Sequence, residues 1–284
     1  MSIRFTKMHG AGNDYVYINA INQSLINLPQ LAVEMSDRHK GVGADGIVLI
    51  MKSSIADFRM RMFNADGSEG EMCGNASRCV AKYVYDNKLI AKRKITLETL
   101  AGIKTLEISS LENDKVRTVR VDMGEPAFSN KDIPVRSKLE VMDLPISTSL
   151  GTFCVTAIGM GNPHGVIVVN DVESVPVDIV GNEIQNNEIF PYKANIEFLE
   201  ILGRSEMRMR VYERGSGETM ACGTGACAAV VAASRLGLCD RSALVHLRGG
   251  DLQIEWADDN HVYMTGEAAT VFTGEYYSPH YIEL

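Results

Sequence analysis

The chain has 284 residues, 45% of them apolar and 23% charged, ordinary values for folded domains with adequate cores, and its length suits two domains of about 140 residues better than one. The formal net charge of −8 excludes sequence-independent binding to nucleic acid, which needs a basic face. No stretch approaches 18 uninterrupted apolar residues, and Met1-Ser2-Ile3-Arg4-Phe5 lacks the hydrophobic core of a secretory signal, so a cytoplasmic protein with no membrane span is expected.

In chain order, Ile3–Lys7 and Tyr15–Asn19 read as short strands. Asn27 is a candidate N-cap for a helix over Leu28–His39 that Gly41 stops. Ile47–Met51 and Phe58–Phe63 are strand-like, and Asn64-Ala65-Asp66-Gly67-Ser68 is turn chemistry. A helix is predicted over Gly74–Asn87, followed by strands near 94–100, 103–109 and 115–123. The segment 126–150, with Pro126, Pro134 and Pro145, reads as a linker. Strands then follow near 152–158 and 165–169, a helix near 176–187, strands near 195–202 and 206–213, a helix over 223–236 and three more strands. Strands joined by tight turns favour antiparallel or mixed pairing over βαβ repetition.

This order is one pattern written twice. Asn13, Asn64 and Cys73 are separated by 51 and then 9 residues, as are Asn162, Glu213 and Cys222, at a constant offset of 149. The surrounding text agrees: Gly12-Asn13 with Gly161-Asn162, Arg61-Met62-Phe63 with Arg210-Val211-Tyr212, Cys73-Gly74 with Cys222-Gly223. Met123-Gly124-Glu125 returns as Thr265-Gly266-Glu267 at an offset of 142. A period this long means two copies of one domain, since solenoid repeats run about 20–50 residues.

Each copy places one cysteine before a small-residue helix. Unpaired backbone N–H groups and the positive end of the macrodipole face such a residue, which can bring a thiol from about 8.5 into roughly the 3.5–7.5 range, and the same N–H groups can hold a carboxylate. A buried cap-region cysteine is the plain alternative, and the in-register repetition argues against it. The other four cysteines, Cys79, Cys154, Cys227 and Cys239, read as small packing residues. No spacing fits a zinc site, and no signature of pyridoxal phosphate is present. Gly41-Val42-Gly43-Ala44-Asp45-Gly46 matches G-x-G-x-x-G but follows a helix and opens a strand, the reverse of a dinucleotide fingerprint, so its glycines read as a turn. Two thiols offered to one ligand suit inversion at a carbon bearing hydrogen, where a base works on one face and an acid on the other.

At these residues the chain resembles the diaminopimelate epimerase family. The resemblance is carried by Lys7-Met8-His9-Gly10-Ala11-Gly12-Asn13-Asp14, Phe63-Asn64-Ala65-Asp66-Gly67-Ser68, Cys73-Gly74-Asn75, Gly161-Asn162-Pro163-His164, Ala194-Asn195-Ile196, Tyr212-Glu213-Arg214-Gly215-Ser216-Gly217-Glu218-Thr219 and Ala221-Cys222-Gly223-Thr224-Gly225. It spans residue 4 to about 275. It implies a cofactor-independent isomerase interconverting LL- and meso-diaminopimelate on the route to lysine and peptidoglycan. The implied fold is mixed, strand-rich α/β: two pseudo-symmetric domains, each a β-barrel-like sheet around a central helix, with the active site in the cleft and a homodimer in solution. The expected domains are 1–125, joined by a returning C-terminal strand at 270–284, and 126–269 including the linker 126–150. Carried over, Cys73 and Cys222 become the base and acid. Gly74, Asn75, Gly223 and Thr224 grip the carboxylate at the reacting centre. Asn13, Asn64, Asn162, Asn195, Glu213 and Arg214 recognise the substrate, chiefly its distal zwitterionic end. His164 and Glu213 tune the thiols. No metal is implied. Each asparagine could instead be a turn or cap residue, and His164 a surface-loop residue.

Three departures stand out. Gly46 occupies a place where many members carry a ligand-contacting glutamine, Ala76-Ser77 stands where Gly-Ala is frequent, and Phe272 aligns with a tyrosine of the dimer contact in some members. A proline-racemase-like enzyme, a thiol redox switch and a non-catalytic amino-acid-binding protein are the rival readings. Arg214 and the asparagines favour the longer substrate over proline.

Overall fold

The computed structural model describes residues 2–129, 133–137, 140–277 and 281. It contains two compact units, one formed by Met1–Val121 with Gly266–Leu284 and the other by Asp122–Thr265. Among the described residues no helix is long and apolar enough to cross a membrane.

Unit 1 runs β1 (Ser2–Gly10), β2 (Asn13–Asn19), α1 (Leu28–Ser36), β3 (Gly46–Met51), β4 (Phe58–Asn64), β5 (Glu69–Gly70), α2 (Gly74–Asp86), β6 (Lys94–Thr99), β7 (Gly102–Glu112) and β8 (Lys115–Asp122). Antiparallel pairs β1–β2, β3–β4, β6–β7 and β7–β8 alternate with parallel pairs β2–β3 and β4–β6. The α1 helix ends three residues before the expected His39. Asn27 precedes it in the left-handed region, φ 53°, and makes no side-chain cap bond, so the helix starts through Pro29 in its first turn instead.

Unit 2 continues with β9 (Leu144–Thr148), β10 (Gly151–Gly159), β11 (Pro163–Val169), α3 (Val177–Gln185), β12 (Asn195–Gly203), β13 (Glu206–Glu213), β14 (Gly217–Thr219), α4 (Gly223–Arg235), β15 (Ser242–Leu247), β16 (Gly250–Trp256) and β17 (Val262–Glu267). Its pairing repeats that of unit 1: β10–β11, β12–β13 and β15–β16 are antiparallel, β11–β12 and β13–β15 parallel. The final strand, β18 (Ala269–Tyr277), lies antiparallel to β1. Residues 278–280 and 282–284 of the expected returning strand lie outside the described residues.

The segment expected to be a linker is partly unit 2 core. β9 pairs with β10, and Ile133, Val141 and Ile146 are buried in the unit's apolar cluster. Burial of these three side chains stabilises what the prolines disguised. Residues 130–132 and 138–139 of that segment lie outside the described residues.

The duplication extends to register. Val16 faces Ile47 and Ile47 faces Phe63 in unit 1, while Gly165 faces Ile196 and Ile196 faces Tyr212 in unit 2, each at the 149-residue offset. The helices α2 and α4 also match residue for residue. Both are buried on nearly every side, α2 against β1, β2 and β7 and α4 against β10, β11, β12, β15 and β16. Small residues (Gly74, Ala76 and Ser77 in one, Gly223, Gly225 and Ala226 in the other) let the strands approach the first turn.

Candidate active site

In unit 1, Cys73 is the N-cap of α2, with extended backbone at φ −137°, ψ 121°. Its half-buried thiol donates to Asn13 Oδ1 at 3.3 Å. Asn13 Nδ2 in turn donates to Asp45 Oδ2 at 2.8 Å. Asp45 belongs to an ionic cluster that sequence reasoning missed: Arg38 bridges Asp14 and Asp45 at 2.8 and 2.9 Å, and Lys7 lies 2.5 Å from Asp14. Burial alone would raise the Asp14 carboxyl, but bonds from Arg38 and Lys7 outweigh it and hold it below the usual range. The cluster anchors the β1–β2 turn, and with it Asn13 beside the thiol.

Asn64 ends β4 and opens the turn that follows, where its Nδ2 donates to Ser68 Oγ at 3.0 Å and its N–H to Ser68 O at 2.8 Å. Asn75 is buried, and its Oδ1 accepts from Arg78 Nη2 at 2.8 Å, so its side chain serves the helix and its backbone N–H is the part left for a ligand. Gly46 has a steric reason. A Cβ there would lie 2.1 Å from Phe63 O and 2.8 Å from Tyr15 Cε1. The 149-residue offset maps it onto Asn195, whose Oδ1 accepts the Arg214 N–H at 2.9 Å; in unit 1 the matching Ala65 N–H goes to the Asp45 carbonyl at 2.9 Å. A backbone oxygen has taken over the turn-stabilising part of a side-chain amide.

In unit 2, Cys222 caps α4 and is buried, 6% exposed. Its sulfur accepts from the Gly225 N–H at 3.4 Å and lies 3.5 Å from Thr224 Oγ1. The expectation of a lowered thiol fails here. Burial first, then the negative charges of Glu213 and Glu197, push the Cys222 thiol well above the ordinary thiol range, outweighing the helix-start contacts. Glu213 is itself raised above the usual carboxyl range by desolvation, against hydrogen bonds with Thr219 and Cys222.

His164 is wholly buried, not a surface-loop residue. Its Nδ1 is 2.7 Å from Glu197 Oε1 and its Nε2 2.9 Å from Asn162 Oδ1. Sequence reasoning missed Glu197, although a carboxylate inside the apolar strand Asn195-Ile196-Glu197-Phe198-Leu199 was its signal. Arg214 is exposed, and its guanidinium touches only the Tyr192 carbonyl, at 3.4 Å, among its recorded contacts. Unit 1 therefore gathers Asn13 and Cys73 with Asp45, and unit 2 gathers Asn162, His164, Glu213, Cys222 and Thr224 around Glu197.

Of the other cysteines, Cys79, Cys227 and Cys239 are buried, while Cys154 is exposed on β10 and not a packing residue. Burial pushes the Cys79 and Cys239 thiols up to about 11, which keeps them protonated and unreactive. Among the described residues no group of three His, Cys, Asp or Glu side chains is placed to hold a metal.

The family model described as diaminopimelate epimerase matches residues 5–129 and 156–271. A diaminopimelate epimerase of Methanococcus maripaludis is 54% identical over 275 residues, covering 96% of this chain and 99% of its own. Another, of Acetivibrio thermocellus, is 51% identical over 275 residues, covering 96% and 98%. Among solved structures, a phenazine biosynthesis protein of the PhzF family from Bacillus anthracis superposes with a TM-score of 0.69 at 18% identity, covering 98% of this chain and 100% of that one. A probable proline racemase from Agrobacterium radiobacter K84 gives 0.66 at 15% identity, covering 96% and 92%. These two likenesses concern the fold, mixed strand-rich α/β. With one family model matched in both units and relatives at about half identity over nearly its whole length, this chain belongs to the diaminopimelate epimerase family of isomerases.

Proposed function

We propose that the chain interconverts LL- and meso-diaminopimelate by two-base proton transfer, with the Cys73 and Cys222 thiols acting on opposite faces of the reacting Cα and without a cofactor. The observation that carries this reading is the pair of matched helices, each capped by a cysteine; burial beside Glu213 and Glu197 pushes the Cys222 thiol up, which suits it to the role of acid. Cys222 is then the acid, and Cys73 is the base once its thiol, which donates to Asn13 in the free protein, has given its proton to solvent. Cys73 removes the Cα proton, Cys222 delivers its own to the other face, and the reverse reaction exchanges the roles. Backbone N–H groups of Gly74, Asn75, Gly223 and Thr224 receive the carboxylate at the reacting centre, where developing negative charge is stabilised. Asn13, Asn64, Asn162, Asn195, Glu213 and Arg214 recognise the substrate, chiefly its distal end, where Arg214 binds the carboxylate. The product feeds lysine and peptidoglycan precursors in the cytoplasm.

Turnover in heavy water tests the reaction. Solvent deuterium enters Cα of diaminopimelate during epimerisation, and neither a redox switch nor a binding protein produces it. Absence of deuterium from product formed on the enzyme sinks the proposal, and efficient racemisation of proline points to the racemase alternative.

Turnover at saturating substrate passes through a maximum with pH, because one thiol is ionised and the other protonated in the productive complex. The limbs report the pair, not either cysteine alone. Glu213 is one of the charges that raise Cys222, so Glu213→Gln lets the thiol ionise earlier and moves the alkaline limb to lower pH. An unmoved or raised limb removes Glu213 from the tuning role.

The proposed homodimer is supported by β18, where Val271 and Phe272 are 55% and 46% exposed and Phe272 rests edge-on against Phe5 with ring centroids 5.9 Å apart. Phe272→Asp is expected to shift the molar mass in light scattering toward the monomer; an unchanged mass places the contact elsewhere.

A further inference from the structure

A carboxylate in the interior of a strand costs several kcal/mol unless something compensates it. Glu197, the third residue of β12 with its side chain wholly buried, is such a group. The 149-residue offset maps it onto Val48 in unit 1, so the fold itself does not require an acid there. Its Oε1 is spent on His164 Nδ1 at 2.7 Å, and its Oε2 has no hydrogen-bond partner among the described residues.

The neighbouring helix has been shaped around it. A Cβ at Gly225 would lie 2.6 Å from Glu197 Oε1. The offset maps Gly225 onto Ala76, which carries a Cβ in the same first turn, in the copy where Val48 replaces the acid. Glycine at 225 and glutamate at 197 therefore occur together in one copy, and alanine and valine in the other.

The hydrogen bonds say what the acid does. His164 Nε2 meets an oxygen, Asn162 Oδ1, so it carries a proton. Its Nδ1 meets another oxygen, so a second proton lies on the Nδ1–Oε1 line. With Nε2 as the donor, Asn162 is held with Oδ1 occupied and its NH2 left as a donor.

We propose that Glu197 is a positioning residue of the Cys222 side: acting through His164, it fixes the Asn162 amide so that its NH2 group donates to an oxygen of the bound amino acid, and Gly225 is glycine to admit it. The inference rests on the reading that Asn162 contacts substrate. A Cβ at Gly225 would meet Glu197 Oε1 at 2.6 Å and Cys222 Cβ at 3.2 Å, so the same carboxylate lies beside the acid.

Steady-state kinetics with diaminopimelate, in wild-type and His164→Asn backgrounds, test it. Glu197→Ala is expected to raise KM by about 10–100-fold, the usual effect of removing the partner that orients a functional histidine, with a smaller change in kcat. Glu197→Gln, whose amide donates to Nδ1 and preserves Nε2–H, keeps KM within about threefold. Gly225→Ala, which crowds the carboxylate from the helix side, reproduces the rise. In the His164→Asn background, Glu197→Ala and Gly225→Ala add less than about twofold, because groups acting in series do not add. Equal effects with and without His164 overturn the proposal. If Glu197→Ala does not fold, Gly225→Ala against Glu197→Gln decides: a raised KM in the first alone supports the proposal, and equal KM values overturn it. The nitrogen-15 resonances of His164 give a readout independent of turnover. A protonated Nε2 in wild type and in Glu197→Gln supports the arrangement, and an unprotonated Nε2 overturns it. Failure of deuterium to enter Cα would sink the two-thiol reaction while leaving this resonance, and the Glu197 assignment, in place.

Discussion

Cys222→Ala is expected to cut epimerisation of diaminopimelate by about 10²–10⁴-fold, the range that a positioned acid or base contributes, and Cys73→Ala by a similar factor. The fold survives both changes. Cys222→Ala deletes one sulfur and its acceptor contact with the Gly225 N–H, worth about 1 kcal/mol at a helix cap; Cys73→Ala deletes the bond to Asn13. The two single mutants are distinguishable. Each retains one thiol, so each exchanges the Cα hydrogen of one isomer with deuterium while failing to invert it. The double mutant should be little slower than either single one, since residues acting as a unit are not additive. Full epimerase activity in either single mutant rules out the two-base scheme, whatever the fold or family.

The largest loss of stability is expected from Arg78→Ala. Arg78 lies on α2 with no exposed surface, its Nη2 donating to Asn75 Oδ1 at 2.8 Å and its Nε to the Glu267 carbonyl at 3.3 Å. Truncation leaves the buried Asn75 acceptor unpaired and a void the length of an arginine stem, together about 3–5 kcal/mol, read as a drop in the urea midpoint. Arg78→Met keeps most of the stem and loses only the bonds, about 1–3 kcal/mol. A loss below about 1 kcal/mol in the alanine variant would show that neighbouring groups close over the site. Asn75 loses its holder in both variants, so the start of α2 loosens before the unit unfolds.

The outline of the fold was legible because it is written twice and because period-2 apolar runs, turn glycines and helix starts are local signals. The positions of Cys73 and Cys222 at helix starts followed from those signals alone. The electrostatics of Cys222 did not. A helix N-terminus argues for a lowered thiol, but the winning effect is burial beside two carboxylates, and burial is a property of the assembled unit. Glu197 escaped for a related reason: a single acid in an apolar strand is visible, but its partner His164 lies 33 residues away. Comparing the copies position by position, with Val48 for Glu197 and Ala76 for Gly225, would have found it. The segment 126–150 was misread because its prolines are a local signal of loops, whereas its core residues declare themselves only against α3 and β10.

The two edges β9 and β18 give the chain a timetable. Unit 2 takes its edge strand from residues immediately before β10, so every described strand of that unit begins within one uninterrupted stretch, Asp122–Thr265. Unit 1 takes its edge from the far end: Ser2 faces Tyr277. On a ribosome adding about 5–20 residues per second, β1 is among the first segments to emerge, and it waits roughly 10–50 s for β18. During that wait its outer row of N–H and C=O groups is an open template for another nascent chain. The half translated later is thus the first that can finish, and the half translated earlier is sealed only when β18 reaches β1.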